Sequence, residues 1–133
     1  MGVVLNDRAH DGGRAAATAR CAWLLAVDLA FGVVDGAVFV RIYATPEKVG
    51  RGSDARTAMA RKIACYLAVT VANCQPAVLA RAAKLDRKTV HSHLAAVEDM
   101  RDEPGVDSLL DQLASRMVAS AAGLVLANLG EAA

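Results

Sequence analysis

The sequence predicts an all-α protein, and three observations carry that expectation. Hydrophobic residues make up 55% of the chain but aromatic ones only 4%, which describes an alanine-rich aliphatic core of closely packed helices. Apolar residues recur at the i, i+3, i+4, i+7 spacing of a helix face in several separate stretches. Those stretches are divided by Gly, Pro and Asp clusters placed where helices stop and start. A chain of 133 residues is one domain's worth and can bury a core without disulfide or metal staples.

In chain order, residues 1–14 read as a flexible polar tail ending near the Gly12-Gly13 pair, and 15–133 as a single helical domain. Residues 15–31 form a helix apolar nearly all round, with Gly32 placed to end it. Trp23, Leu24, Val27 and Phe31 share one face for the core, and Leu25 and Leu29 occupy another. Such a helix is either central or paired with a second copy of the chain, and a homodimer is the favoured expectation.

Residues 33–43 carry two readings. Asp35-Gly36 between β-branched residues is a hairpin signal, whereas Asp35 can also cap a short helix. Thr45-Pro46-Glu47 supplies a cap, a first-turn proline and a first-turn acid for another short helix. Ser53 caps a helix from Asp54 to about Val71, with Ile63, Leu67 and Val71 on its stripe and Met59 and Tyr66 beside them. After Asp102-Glu103-Pro104-Gly105, a final helix carries Val106, Leu109, Leu110, Leu113 and Met117 and runs on through Leu124 to Leu129.

Residues 76–98 read as a helix-turn-helix. Leu79, Ala80 and Ala83, with Val78 close by, form the inner face of the first helix, and Leu85 fills the turn. Asp86 occupies the N-cap of the second helix, its carboxylate placed to accept from the first amides, and Val90, Leu94 and Val97 form the inner stripe. Arg87, Lys88, His91 and Ser92 then face outward near the helix start, where such motifs read base edges in a major groove.

Charge converges on the same region. Residues 41–93 hold ten basic and three acidic side chains, net +7, although the whole chain is only +1. Residues 1–40 are net −1 and residues 94–133 net −5. A concentrated basic segment is the electrostatic footprint of phosphate binding. Arg51, Arg56, Arg61, Lys62, Arg81 and Lys84 are its candidate phosphate contacts.

Other function classes find less to stand on. Cys21, Cys65 and Cys74 lack CxxC spacing and read as small apolar residues packed in a reducing cytosol. His91 and His93 project about 200° apart on a helix and do not converge on one metal ion. No Gly-rich phosphate loop, paired carboxylates or nucleophile with base and orienter can be assembled, so neither an enzyme nor a cofactor site is expected. The apolar run 21–34 is interrupted by Asp28 and reads as too short to span a membrane, and Asp7, Asp11 and Asp28 argue against a signal peptide. A cytoplasmic, nucleoid-associated protein with double-stranded DNA as partner is the expectation.

Several segments carry a family resemblance over about residues 37–117. Ala60-Arg61-Lys62-Ile63-Ala64-Cys65-Tyr66-Leu67-Ala68 resembles the ARQIAMYLA segment of domain IV, the DNA-binding domain of the bacterial replication initiator DnaA. Tyr43-Ala44-Thr45-Pro46-Glu47-Lys48-Val49 is similar to that domain's opening Y-G-I-S-x-E-D-L-L. Val97-Glu98-Asp99-Met100, followed by 106–117, resembles its KIE-x-L tail and closing helix. The resemblance implies a helical domain whose basic loop, with Arg51, and helix-turn-helix grip duplex DNA. Arg61 then matches a phosphate-contacting arginine, and Asp86 and Thr89 match part of the GGRDHTTV signature, Thr89 as a further phosphate contact. Ala83-Lys84-Leu85-Asp86-Arg87-Lys88-Thr89-Val90 departs from that signature at both glycines, the arginine and the histidine. The resemblance therefore implies the scaffold and leaves the sequence read by this chain its own. The chain has no GxxxxGK[ST] loop and is too short for an AAA+ module.

The function expected is that of a bacterial transcription regulator, with precedent in small DnaA-domain-like activators such as regulators of gene transfer agents. RNA polymerase or other transcription factors are its further expected partners. The alternatives are a replication-control factor that competes with or docks on the initiator, and a protein-interaction module.

Overall fold

In the computed structural model the backbone is described for residues 2–43 and 52–132, and side chains for 13–40 and 55–120. The described residues form six helices and no strand: α1 (Gly2–Val33), α2 (Ala37–Tyr43), α3 (Gly52–Thr70), α4 (Pro76–Ala83), α5 (Arg87–Met100) and α6 (Pro104–Ala132). The expected short helix at Thr45-Pro46-Glu47 lies outside them, as does Arg51, whereas Ser53, expected as the cap of a helix starting at Asp54, is already inside the first turn of α3.

The centre of the fold is α3. Ile63, Ala64, Cys65, Tyr66, Leu67 and Ala68 are six consecutive buried residues, a pattern possible only for a helix covered on every side. Helices α1, α2, α4 and α5 all pack on it. The apolar helix α1 is therefore not central. Its buried line is Ala19, Ala22, Ala26 and Ala30, leading to Val34, while Trp23, Val27 and Phe31 on one flank and Leu25, Leu29 and Val33 on the other are half-buried. Leu24, expected in the core, is 68% exposed. Alanine at the contact lets α1 approach α3 and α4 closely, and the large residues then close the seam from both sides.

Four further expectations for α1 change. The helix begins at Gly2 and continues through Gly12-Gly13, so the segment read as a tail is helical backbone. Gly32 has no positive φ and lies inside the last turn, so it is not a left-handed cap. Cys21 is exposed rather than packed, unlike Cys65 and Cys74. By length and composition, Gly13–Val33 is also long and apolar enough to cross a bilayer, contrary to the expectation that the apolar run is too short. Its alanine line is packed inside the protein.

Residues 33–43 resolve as a turn and a helix. A two-residue Asp-Gly hairpin needs positive φ at both central positions, and neither Asp35 nor Gly36 has it. Instead the Gly36 amide donates to the Val33 carbonyl at 2.9 Å, and the Gly36 carbonyl accepts from Val40 at 3.0 Å to start α2. Gly36 thus holds the cap position, and Asp35 turns its carboxylate to Arg56. Burying Val34 and Phe39 completely is what overrides the local strand preference. Where α6 starts, Gly105 passes Val38 so closely that an added Cβ would sit 3.3 Å from a valine methyl.

Helices α4 and α5 match the expected segmentation closely. Asn73 turns the chain after α3 with φ 57°, a conformation asparagine tolerates, and Gln75 is extended, as the residue before a proline must be. Pro76 takes the first turn of α4. The helix ends with Lys84 left-handed at φ 57° and ψ 46°, its amide donating to Arg81 and the Leu85 amide reaching back to Ala80 at 2.8 Å. This is a Schellman ending with lysine where glycine is the usual occupant, at a cost of about 1 kcal/mol in backbone conformation. Leu79, Ala80, Val90 and Val97 are buried, and Leu85 and Leu94 pack against the core.

Candidate functional site

The α4–turn–α5 pair presents one polar face. Asp86 sits at the N-cap of α5 with φ −75° and ψ 147°, but its side chain makes no capping hydrogen bond, contrary to expectation. The first-turn amides of α5 therefore keep their partial positive charge directed outward, beside the Arg87 and Lys88 side chains. Arg87, Lys88, His91 and Ser92 are all exposed, and Thr89 is half-buried. Arg81 and Lys84 are exposed on α4 and its ending.

Helix α3 adds to this face from behind. Arg61 is exposed, Lys62 is half-buried, and both act electrostatically on His93 of α5. Burial first, then Lys62 and Arg61, hold the His93 pKa below the usual histidine value. Arg61 also lines an open recess of about 230 Å³ with Trp23, Val27, Phe31, Thr57 and Ala83. Cations from α3, α4 and α5 are thus gathered around one turn. Among the described residues, none of Arg61, Lys62, Arg81, Lys84, Arg87 and Lys88 is ion-paired with a carboxylate.

Arg56 is the exception among the residues singled out for phosphate. Its guanidinium grips Asp35 with two bonds of 2.6 and 2.9 Å and lies 4.9 Å from the Phe31 ring centre. That pairing holds the Asp35 carboxyl below its ordinary pKa and directs Arg56 to the α2 turn. Sequence reasoning counted its charge but had no means of seeing its partner, 21 residues upstream.

Arg20 is the residue the sequence left out. It belongs to α1, more than 60 positions before the turn, yet it lines a second recess, of about 350 Å³, with Arg81 and Lys84. Only the packing of α1 on α4 brings it there.

The cysteines offer no nucleophile in the core. Burial pushes the Cys65 thiol up to about 12 against the opposing pull of Arg61, and burial also raises Cys74. Among the described residues no group of three His, Cys, Asp or Glu side chains is placed to hold a metal. No protein-family model, curated protein or solved structure matches the chain.

Proposed function

We propose that this chain is a sequence-specific double-stranded DNA-binding protein that uses α4 and α5 as a helix-turn-helix and acts as a bacterial transcription regulator. One observation carries the reading: a chain of net charge +1 gathers unpaired cations from three helices around the start of one exposed helix. A face of that kind fits a polyanion. Arg87 and Lys88 reach base edges, with Ser92 and His91 adding base contacts, and Arg61, Lys62, Arg81, Lys84 and Thr89 hold the phosphates. Arg56 drops out of the phosphate set because Asp35 occupies it.

The segment likeness to the initiator's DNA-binding domain supports the same reading of α3 to α6. It makes a regulator of a phage-like or gene-transfer-agent cluster the specific role to test first. A genome-wide footprint distinguishes promoters from a replication origin.

Binding is tested by titrating labelled duplex across a salt series. With about five phosphates engaged, log affinity falls against log salt with a slope near −4.5. A flat response overturns the proposal. Function that survives neutralising both Arg87 and Lys88 favours a docking module on polymerase or on the initiator instead.

A further inference from the structure

The recess between α1 and α4 brings together Arg20, Arg81 and Lys84 above a floor of small or short apolar residues, Ala16, Val78 and Ala82. All three cations are exposed, no carboxylate lines the recess, and none of the three is ion-paired among the described residues. Three like charges around one hollow repel one another unless an anion sits between them. Lys84, moreover, is held left-handed at φ 57°, a conformation that disfavours every residue with a side chain and that glycine would relieve. That conformation belongs to the Schellman ending of α4 and fixes the Lys84 backbone at the rim of the recess.

We infer that this recess takes the phosphate backbone of duplex DNA, with Arg20 adding a phosphate contact of its own to those of Arg81 and Lys84, so that α1 is a second point of grip outside the helix-turn-helix. The inference rests on the DNA-binding reading above and extends it to a residue no motif contains. The geometry favours a linear polyanion over a small free anion. The recess is open, and its rim residue Lys84 is joined by only two residues of chain to the exposed Arg87 and Lys88 at the start of α5. A duplex strand lying along the start of α5 runs over Lys84 and into the hollow beside Arg20. The small floor lets a phosphate group approach, while its planar forks Arg20 and Arg81 suit paired phosphate oxygens.

The test uses the full chain, labelled duplex and a potassium chloride series, with Arg20→Gln compared against Arg14→Gln. Arg14 is exposed on the same helix but does not line the recess. Arg20→Gln is expected to weaken preferred and unrelated duplexes alike, about fivefold, and to make the salt slope shallower by about 0.9. Arg14→Gln keeps the wild-type slope. Lys84→Gly gives the same shallower slope together with a higher melting temperature, a combination that general damage to the fold does not produce. The inference is overturned if Arg20→Gln keeps the wild-type slope, or if both α1 variants shift it equally, while Arg87→Ala still loses its preferred site. A wild-type chain that binds no duplex overturns the DNA-binding reading itself, and is told apart because Arg87→Ala then changes nothing.

Discussion

Two arginine-bearing regions of this molecule use the same side chain in opposite ways. At the junction of α5 and α6, Arg101 is saturated: it donates to Asp107 at 2.6 Å, to the Tyr66 hydroxyl at 2.6 Å and to Asp111 at 2.9 Å. At the other end of α5, Arg87 and Lys88 meet no carboxylate among the described residues. Arg101 ties α6 and the central helix to the end of α5, and its pKa is raised, chiefly by the hydrogen bond it donates to Asp107. One helix thus has a fastened acidic end and an unsatisfied basic end. Paired cations build the fold, and the unpaired ones are those the proposal above gives to DNA.

Neutralising the basic end should have the largest effect. Arg87→Ala with Lys88→Ala is expected to lose about 2–5 kcal/mol of binding at a preferred duplex, with the urea midpoint unchanged. A large fall in stability would break the contrast. Arg101→Ala is the mirror experiment. It removes three hydrogen bonds at a partly exposed site and should cost about 1–2 kcal/mol of stability by urea unfolding, with duplex affinity per folded molecule retained.

Smaller effects sharpen the same picture. Lys84→Gly should raise stability by about 0.5–1 kcal/mol, because glycine takes the left-handed ending without penalty. The smallest effect belongs to His93. Its folded-state pKa lies below the unfolded value, so the unfolded chain takes up the proton first as pH falls. Stability is therefore full above the unfolded value of about 6.5 and declines as pH drops through it towards the folded value. Denaturant midpoints at pH 7.5 and 5.5 measure this, and His93→Gln should narrow the gap between them.

How far the sequence reveals this architecture depends on whether a signal is local. Pro76, Asp86 and Pro104 mark the starts of α4, α5 and α6 because caps and prolines act within one turn, and the stripe Val106, Leu110, Leu113, Met117 is legible as a period. Helix α1 misleads because Trp23, Leu24 and Phe31 dominate any hydrophobic reading, whereas close packing selects the alanines between them. The turn at Asp35-Gly36 has a good local hairpin signal, overridden by the burial of Val34 and Phe39. In the candidate site, exposed Arg87, Lys88, His91 and Ser92 follow from helix periodicity alone. The diversion of Arg56 to Asp35 and the arrival of Arg20 beside Lys84 are tertiary events with no local trace.

The shallow recess beside Arg61 has an optical consequence. It is lined by Trp23, the single tryptophan of the chain, half-buried next to a residue assigned to the phosphate backbone. A strand arriving at Arg61 changes the polarity and water access of that indole, so the protein's own emission spectrum reports the arrival without any attached dye.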